Sequence, residues 1–576
     1  MAQTDRPVQI VPQANQTVLT LPNGKPVRPW IVLISVIFGF FMSLLDATIV
    51  NIALTNIQLN LKTDLTTVSW VLNAYTVVFA AVLVTMGRFA DQFGRKRIYM
   101  TGMVLFSVGS LLCASAPTIE LLIVFRAIQG LGAAALDPIS LAIITAVFPA
   151  KQRGGAVAIW GSLAGLAAAV GPVLGGFLLQ IGKGNLEWRA IFFINIPFCI
   201  VGLYMVWRNV PETRDVGASR KIDVIGLVTL AAGLAGLVFA IIQGGGEWGW
   251  TDAKTLGTFG LSLVLLVVFF FYQIRLTQPL LDFRLFRIRS FSAANISAFM
   301  FGTAIQGGFL MLVLFLINVQ GYSTLNAAYA FIPVPLAAVI TAGASNAIKI
   351  EARFRGMLGL FLIGIGLLSL TTITPDAGYL DTTWRGVLIG LGAGFCFTSF
   401  PLIVLAEIPK QKLGVGSGTF NTFQQIGFAI GVALLISIFA GRLKDTLPAA
   451  GQSAGAIIQS NQDKLPGPAL GVVGGYLGEL QKRNGSLVVD DAVNEVLPQT
   501  QSLGVTEPQL RSFFGRISSN FKQAQIDAFA TSYFSAAMIA LFAIIPAFFA
   551  KVPLSALRNR EAEDDDTPSP VAVAKA

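Results

Sequence analysis

Long apolar stretches alternate with short polar ones along almost the whole chain. Apolar runs recur at 30–54, 67–87, 98–117, 119–147, 154–179, 188–207, 222–243, 253–274, 290–318, 325–348, 356–373, 384–406, 414–440 and 528–550. About 20 such residues suffice for a helix to cross a bilayer core of about 30 Å. The pattern predicts an all-α integral membrane protein of fourteen transmembrane helices. The first run, WIVLISVIFGFFMSLLDATIVNIAL, interrupts its apolar sequence chiefly at Asp46 and Asn51. An ionised group at the centre of a membrane costs about 2.5–3.5 kcal/mol on insertion scales, so Asp46 needs a partner or a purpose. Either it faces a water-filled cleft or a break in the helix, or its protonation drives the protein.

Composition agrees with this reading. The chain has 576 residues, of which 54% are hydrophobic and only 12% charged; a soluble protein carries about 25% charged residues. The formal charge of +10 is explained by topology and needs no nucleic-acid partner. Of the 40 Lys and Arg, 26 fall in segments on one side of the spans and 5 in the short loops opposite. This asymmetry places both termini in the cytoplasm. The absence of histidine excludes His proton relays, His metal sites and His-dependent hydrolytic triads. Cys113, Cys199 and Cys396 lie inside apolar runs, which suggests neither disulfides nor zinc. Residues 1–28 lack the apolar core of a signal peptide, so the first span is expected to stay in place. The segment 441–527, on the outer side, reads either as a poorly ordered loop or as one with short surface helices at 453–460, 468–482 and 507–525.

Four features carry candidate chemistry. The loop GRFADQFGRKR (87–97) has Gly87 and Gly94 to permit a reversal, Asp91 to cap the next helix, and Arg95, Lys96 and Arg97 at the inner interface. Span four holds Arg126 within RAIQGLGAA. Asp46 lies roughly 20 Å from the inner edge of its span and Arg126 roughly 10 Å from the outer edge of its own. Both estimates reach the same depth, so a direct or water-bridged pair is expected. Span five reads GSLAGLAAAVGPVLGG, with Gly161/Gly165 and Gly171/Gly175 each sharing a face, Pro172 freeing a carbonyl, and Gly176 closing the string. Asp137 follows Arg126 by eleven residues, on nearly the same face and roughly 16 Å further in. It is either an anion in a cytoplasmic-side cavity or a partner for inner-loop bases. Asn73, Tyr75, Gln129, Phe301, Gln306, Phe397, Asn421 and Gln425 are candidates to line a cavity for bulky amphipathic molecules. Glu407 reads as one half of an interfacial ion pair with Lys410 or Lys412.

The loop at 87–97 resembles the signature loop of the major facilitator superfamily, with Phe89 and Gln92 departing from its usual Leu and Arg. RAIQG resembles that superfamily's fourth-helix motif, and the span-five string resembles the antiporter motif of its exporters. LDATIVNIAL, WRAIFFINIP, QPLLDFRLFRIRSF and GVGSGTFNTFQQIGFAIG complete a resemblance to the fourteen-helix drug:proton antiporters, the QacA/EmrB-like multidrug exporters. The resemblance implies the major facilitator fold, with two pseudo-symmetric six-helix halves and two extra central helices. The corresponding division is a cytoplasmic tail at 1–29, an N-terminal half at 30–207 and extra helices with their connectors at 208–289. A C-terminal half follows at 290–550, containing the long outer loop 441–527, and a cytoplasmic tail at 551–576. It further implies Asp46 and Arg126 as the proton-coupling pair. Gly87, Asp91, Gly94, Arg95, Lys96 and Arg97 form a latch between the halves, and Gly161, Gly165, Gly171, Pro172, Gly175 and Gly176 form the antiporter motif. The expected activity is export of lipophilic, cationic drugs or antibiotics in exchange for protons. It would be performed by a monomer in the cytoplasmic membrane, in contact with lipid, without cofactor or metal. A lipid exporter on the same fold is the alternative. An integral-membrane enzyme fits less well, because no nucleophile–base set is clustered. A passive facilitator would have no need of a buried Asp–Arg pair.

Overall fold

The structure, a computed structural model, describes residues 26–181, 188–214, 223–246, 248–277, 279–345, 348, 350–374, 377–408, 413–460, 466–482, 489–503 and 505–551. Its spans are α1 Pro29–Asn60, α2 Leu65–Phe93, α3 Arg95–Ser115, α4 Ile119–Val147, α5 Ala150–Ile181, α6 Ala190–Asn209, α7 Val224–Gly245, α8 Ala253–Arg275, α9 Arg289–Asn318, α10 Thr324–Ser345, α11 Ala352–Leu370 and α12 Tyr379–Ala406. Then come α13 Leu413–Ser460, two short outer helices, α14 Gly467–Lys482 and α15 Val489–Thr500, and the last span, α16 Glu507–Phe542. Thirteen of these helices are long and apolar enough to cross a membrane, and α5 supplies the fourteenth crossing with 32 residues.

Small residues set the spacing of the helices. A Cβ on Gly109 would come within 2.8 Å of the Gln129 backbone, and one on Gly102 within 3.0 Å of the Gly132 carbonyl, so α3 and α4 meet almost backbone to backbone. In lipid, association of this kind rests on close contact rather than on expulsion of water. The C-terminal half repeats the device between α11 and α12, where a Cβ on Gly359 would come within 2.6 Å of the Gly392 carbonyl. Of the extra helices, α7 packs against α2 and α13 and so lies between the halves. Outside it, α8 packs on α7 and presents Leu261, Leu263, Val264 and Phe271 outward. The inner ends of this pair are pinned by Asp223, which accepts from Gly226 N (2.7 Å) and Gln273 Nε2 (2.5 Å).

One junction of the two halves lies at the end that the charge count assigns to the outside. There one apolar core runs from Ile49–Ile57 of α1 into α9, α10 and α13. Asn56 Oδ1 accepts a hydrogen bond from Thr324 Oγ1 across the halves (3.3 Å). Toward the inner end the N-terminal half has its own core of α1–α6 residues. A third core, of α2, α7 and α13, is what links it there to the C-terminal half.

The segment 441–527 differs from a loop. It is largely helical, and its first and last parts continue α13 and α16 beyond the membrane instead of forming separate surface helices. Leu470 and Val473 of α14, Val493 and Val496 of α15, and Leu510, Phe513 and Phe514 of α16 are all buried in the core that reaches up from the outer ends of the spans. The Gly, Pro, Gln and Ser content of the segment concealed this, since the same composition suits a loop.

If close backbone approach holds α3 to α4, Gly132→Leu should cost about 1–3 kcal/mol by overpacking. Thermal unfolding of purified protein in detergent would show a lower midpoint; an unchanged midpoint would refute the tight contact.

Candidate functional site

Asp46 and Arg126 meet directly. Nη1 of Arg126 lies 2.5 Å from Oδ2 of Asp46, and both side chains are 0% exposed. Two further donors converge on Oδ1 of the same carboxylate, Gln129 Nε2 and Asn195 Nδ2, each at 2.9 Å. Arg126 is itself tethered, donating through Nε to the Val71 carbonyl (2.8 Å) and through Nη1 to Gln129 Oε1 (2.8 Å). Its guanidinium stacks 4.3 Å from the centre of the Tyr75 ring, and Tyr75 donates to the Ser43 carbonyl (3.1 Å). The carboxylate thus gathers α1, α4 and α6 around one charge, while Arg126 adds α2. Such charge-assisted bonds gain strength in a low dielectric and become costly to leave unmade.

Asn195 was not singled out by the pattern of the sequence. Its signal is an amide in the otherwise apolar run AIFFINIPF. Its second bond, to Ser110 Oγ (2.9 Å), and that hydroxyl's donation to the Phe192 carbonyl (2.8 Å) bring α3 into the cluster.

Asn73, Tyr75, Gln129 and Phe301 are buried and line no open cavity in this conformer. Tyr75 and Gln129 belong to the Asp46 cluster, because a paired charge in an apolar bundle draws nearby polar groups to itself. Among the described residues, neither amide atom of Asn73 has a hydrogen-bond partner. Phe301 packs edge-on to Phe397 (5.0 Å), which is 43% exposed. Gln306, Asn421 and Gln425 are partly exposed. Asp137 is also partly exposed, and among the described residues no basic side chain pairs with it, contrary to a role as partner for inner-loop bases. Glu407 accepts from Ser290 Oγ (2.5 Å), while Lys410 and Lys412 lie outside the described residues.

The loop at 87–97 works differently from expectation. Gly94, at φ +110°, makes the reversal alone; Gly87 lies inside α2 with no neighbour within 4 Å of an added Cβ. Asp91 pairs with Arg95 one turn on (2.9 Å) instead of capping α3, because it is still part of α2. The N-terminus of α3 is capped from a distance by Glu212, whose carboxylate accepts from Lys96 N (3.0 Å) and Arg97 N (3.2 Å). Burial pushes the Glu212 carboxyl above its usual range, against those two N–H bonds and the nearby Arg97 and Lys96 charges. Hydrogen bonds of this loop reach Ala142, Trp207, Glu212 and Thr213, within and just beyond the N-terminal half. Arg88 reaches further, to the Pro279 carbonyl of the connector ahead of α9.

Of the span-five string, Gly161 and Gly165 lie on α5 with surroundings outside the described residues. Gly171 and Gly175 face α1, where added Cβ atoms would strike Thr48 and, at 2.6 Å, Ile52. Thr48 also donates to the Ala167 carbonyl (3.2 Å). Gly176 faces the other half, where an added Cβ would come within 2.9 Å of Leu325 Cα. Pro172 lies inside α5 between these contacts.

A helical bundle of two halves, with one buried ion pair tying the helices of a single half, is the architecture of a membrane transporter. The Major Facilitator Superfamily profile matches residues 36–432, and this chain belongs to that superfamily. It is 31% identical over 444 residues to Multidrug resistance protein 3 of Bacillus subtilis, a match covering 75% of this chain and 85% of the relative. It is 30% identical to the Tetracenomycin C resistance and export protein of Streptomyces glaucescens, covering 74% and 79%. Among solved structures, a bacterial homolog of the human lysosomal transporter Spinster, in an inward-facing and occupied conformation, shares the fold. Its TM-score is 0.55 at 14% identity, over 93% of this chain and 98% of that one.

Arg126→Gln should leave Asp46 buried without its countercharge and cost about 3–5 kcal/mol. The double variant Asp46→Asn/Arg126→Gln should recover most of the loss, read as unfolding temperature in detergent. A double variant no more stable than the single one would contradict the pairing.

Proposed function

We propose that this protein exports lipophilic, cationic drug-like or antibiotic compounds from the cytoplasm or inner leaflet across the cytoplasmic membrane, in exchange for protons. The observation that carries the reading is the fully buried Asp46–Arg126 pair. A proton arriving from outside adds to a carboxylate oxygen of Asp46, cancels its charge and loosens its hold on Arg126 and Asn195. Releasing that proton inward restores the pair. The transition therefore changes how tightly α1, α4 and α6 are held together, which is what a two-state transporter needs from its coupling ion.

The glycine faces of α5 suit transmission of that change. On one side α5 rests on α1 at Thr48, Ile49 and Ile52, within six residues of Asp46; on the other, Gly176 rests on α10 of the second half. A shift of α1 upon protonation is then passed through α5 to the contact between halves, which here is closed at the outer end. Names of relatives such as the multidrug resistance and tetracenomycin export proteins favour drugs over lipid as cargo.

In a drug-susceptibility panel on cells lacking their own exporters, the wild type should raise resistance to lipophilic cations such as ethidium. Asp46→Asn, expressed to the same level, should give none. Resistance equal to wild type in that variant would remove Asp46 from the mechanism.

A further inference from the structure

Counting only the membrane-crossing part of each described span (Gly416–Thr446 of α13 and Lys522–Phe549 at the last span), two acidic residues lie ten or more residues from either end, Asp46 and Asp137. The first is saturated with partners. The second is not, and the exchange of protons at Asp46 gives it no task. Asp137 is on α4, on nearly the same face as Arg126 and roughly 16 Å further toward the inner end. Among the described residues its carboxylate has neither an ion-pair partner nor a hydrogen-bond donor, and it is partly exposed inside the span.

The helices packed against α4 are α1, α2, α3 and α5. Among the described residues, the cations of these helices nearest Asp137 are engaged elsewhere, while Lys151 and Arg153 at the start of α5 lie outside the described side chains. Arg126 holds Asp46, Arg95 holds Asp91 and the Ala142 carbonyl, and Arg88 reaches Pro279. Among the described residues, two tyrosines of these helices, Tyr75 and Tyr99, donate to the carbonyls of Ser43 and Val36. An acid this deep in a span carries a large cost unless a cation comes to it.

The surroundings suit one kind of cation. One turn along α4, Ser140 accepts from Trp160 Nε1 of α5 (2.8 Å), and Trp160 stacks on Phe40 of α1 at 4.4 Å. Trp160 is partly exposed. A carboxylate one helical turn from a residue that holds a partly exposed indole attracts flat or bulky organic cations more than hydrated inorganic ones, since the ring supplies attraction without requiring water to be kept. In the opposite half Gln306, Asn421 and Gln425 are likewise partly exposed.

We propose that Asp137 is the site that reads the positive charge of the exported compound. It takes a lipophilic organic monocation, whose charge sits against the carboxylate and whose aromatic body lies along Trp160. The assignment rests on the exporter reading but separates from it: Asp137 sets which compounds bind, and Asp46 sets whether protons drive them.

The test is equilibrium binding to the purified full chain in detergent, with tetraphenylphosphonium as the cation and triphenylphosphine oxide as a neutral probe of similar bulk. Asp137→Asn should weaken tetraphenylphosphonium about tenfold or more and leave the oxide unchanged. Asp137→Glu, which keeps the charge, should retain most of the cation affinity and serves as the control for folding. Unchanged cation binding in Asp137→Asn, equal weakening of both probes, or no cation binding by the wild type would each overturn the assignment. Resistance conferred by Asp46→Asn would overturn the proton-exchange reading instead, and would leave a charge-selective loss at Asp137 standing.

Discussion

A membrane bundle tolerates a charge in its interior only when something answers it, and in this protein Arg126 answers Asp46. Much of the N-terminal half is arranged around that requirement. α1 supplies the acid, α4 the base and Gln129, α6 the amide of Asn195, α2 the carbonyl of Val71 and the ring of Tyr75, and α3 the hydroxyl of Ser110. Removing the charge from Asp46 therefore loosens five helices at once, whereas loss of a surface ion pair would alter little.

Glycine makes this local event mechanically relevant. Side chains at Gly171 and Gly175 would hold α5 away from α1, and one at Gly176 would hold it away from α10. With those positions bare, α5 touches the helix of the acid on one face and the opposite half on another. At the inner surface, Glu212 serves a quieter purpose, since it closes the N-terminus of α3 and fixes the reversal at Gly94, where φ is +110°. Any side chain at that glycine would be both strained and in collision with the Glu212 carboxylate.

The spans were legible because apolar length is a one-dimensional property, and the Asp46–Arg126 encounter because depth along a helix follows from counting residues. What counting cannot supply is direction around the helix and distance between segments. Gln129 and Tyr75 read as cavity-lining residues for that reason, although both turn toward the carboxylate. Asn195 and Glu212 escaped notice because their partners are 149 and 116 residues away in sequence. The outer segment 441–527 was obscured by its composition, because its Gly, Pro, Gln and Ser residues also suit a loop. Gly87 was misread because a glycine in a motif can mark either a turn or a stretch of helix.

The central claim is that one titrating carboxylate couples two opposed fluxes. The most direct measurement follows ethidium movement and internal pH together in proteoliposomes holding purified wild-type protein, with a pH gradient imposed. Proton flow should appear only when ethidium moves the opposite way, and ethidium should accumulate against its gradient until the pH difference is spent. Ethidium accumulation that persists after a protonophore collapses the gradient, or proton flow indifferent to ethidium, would contradict the account.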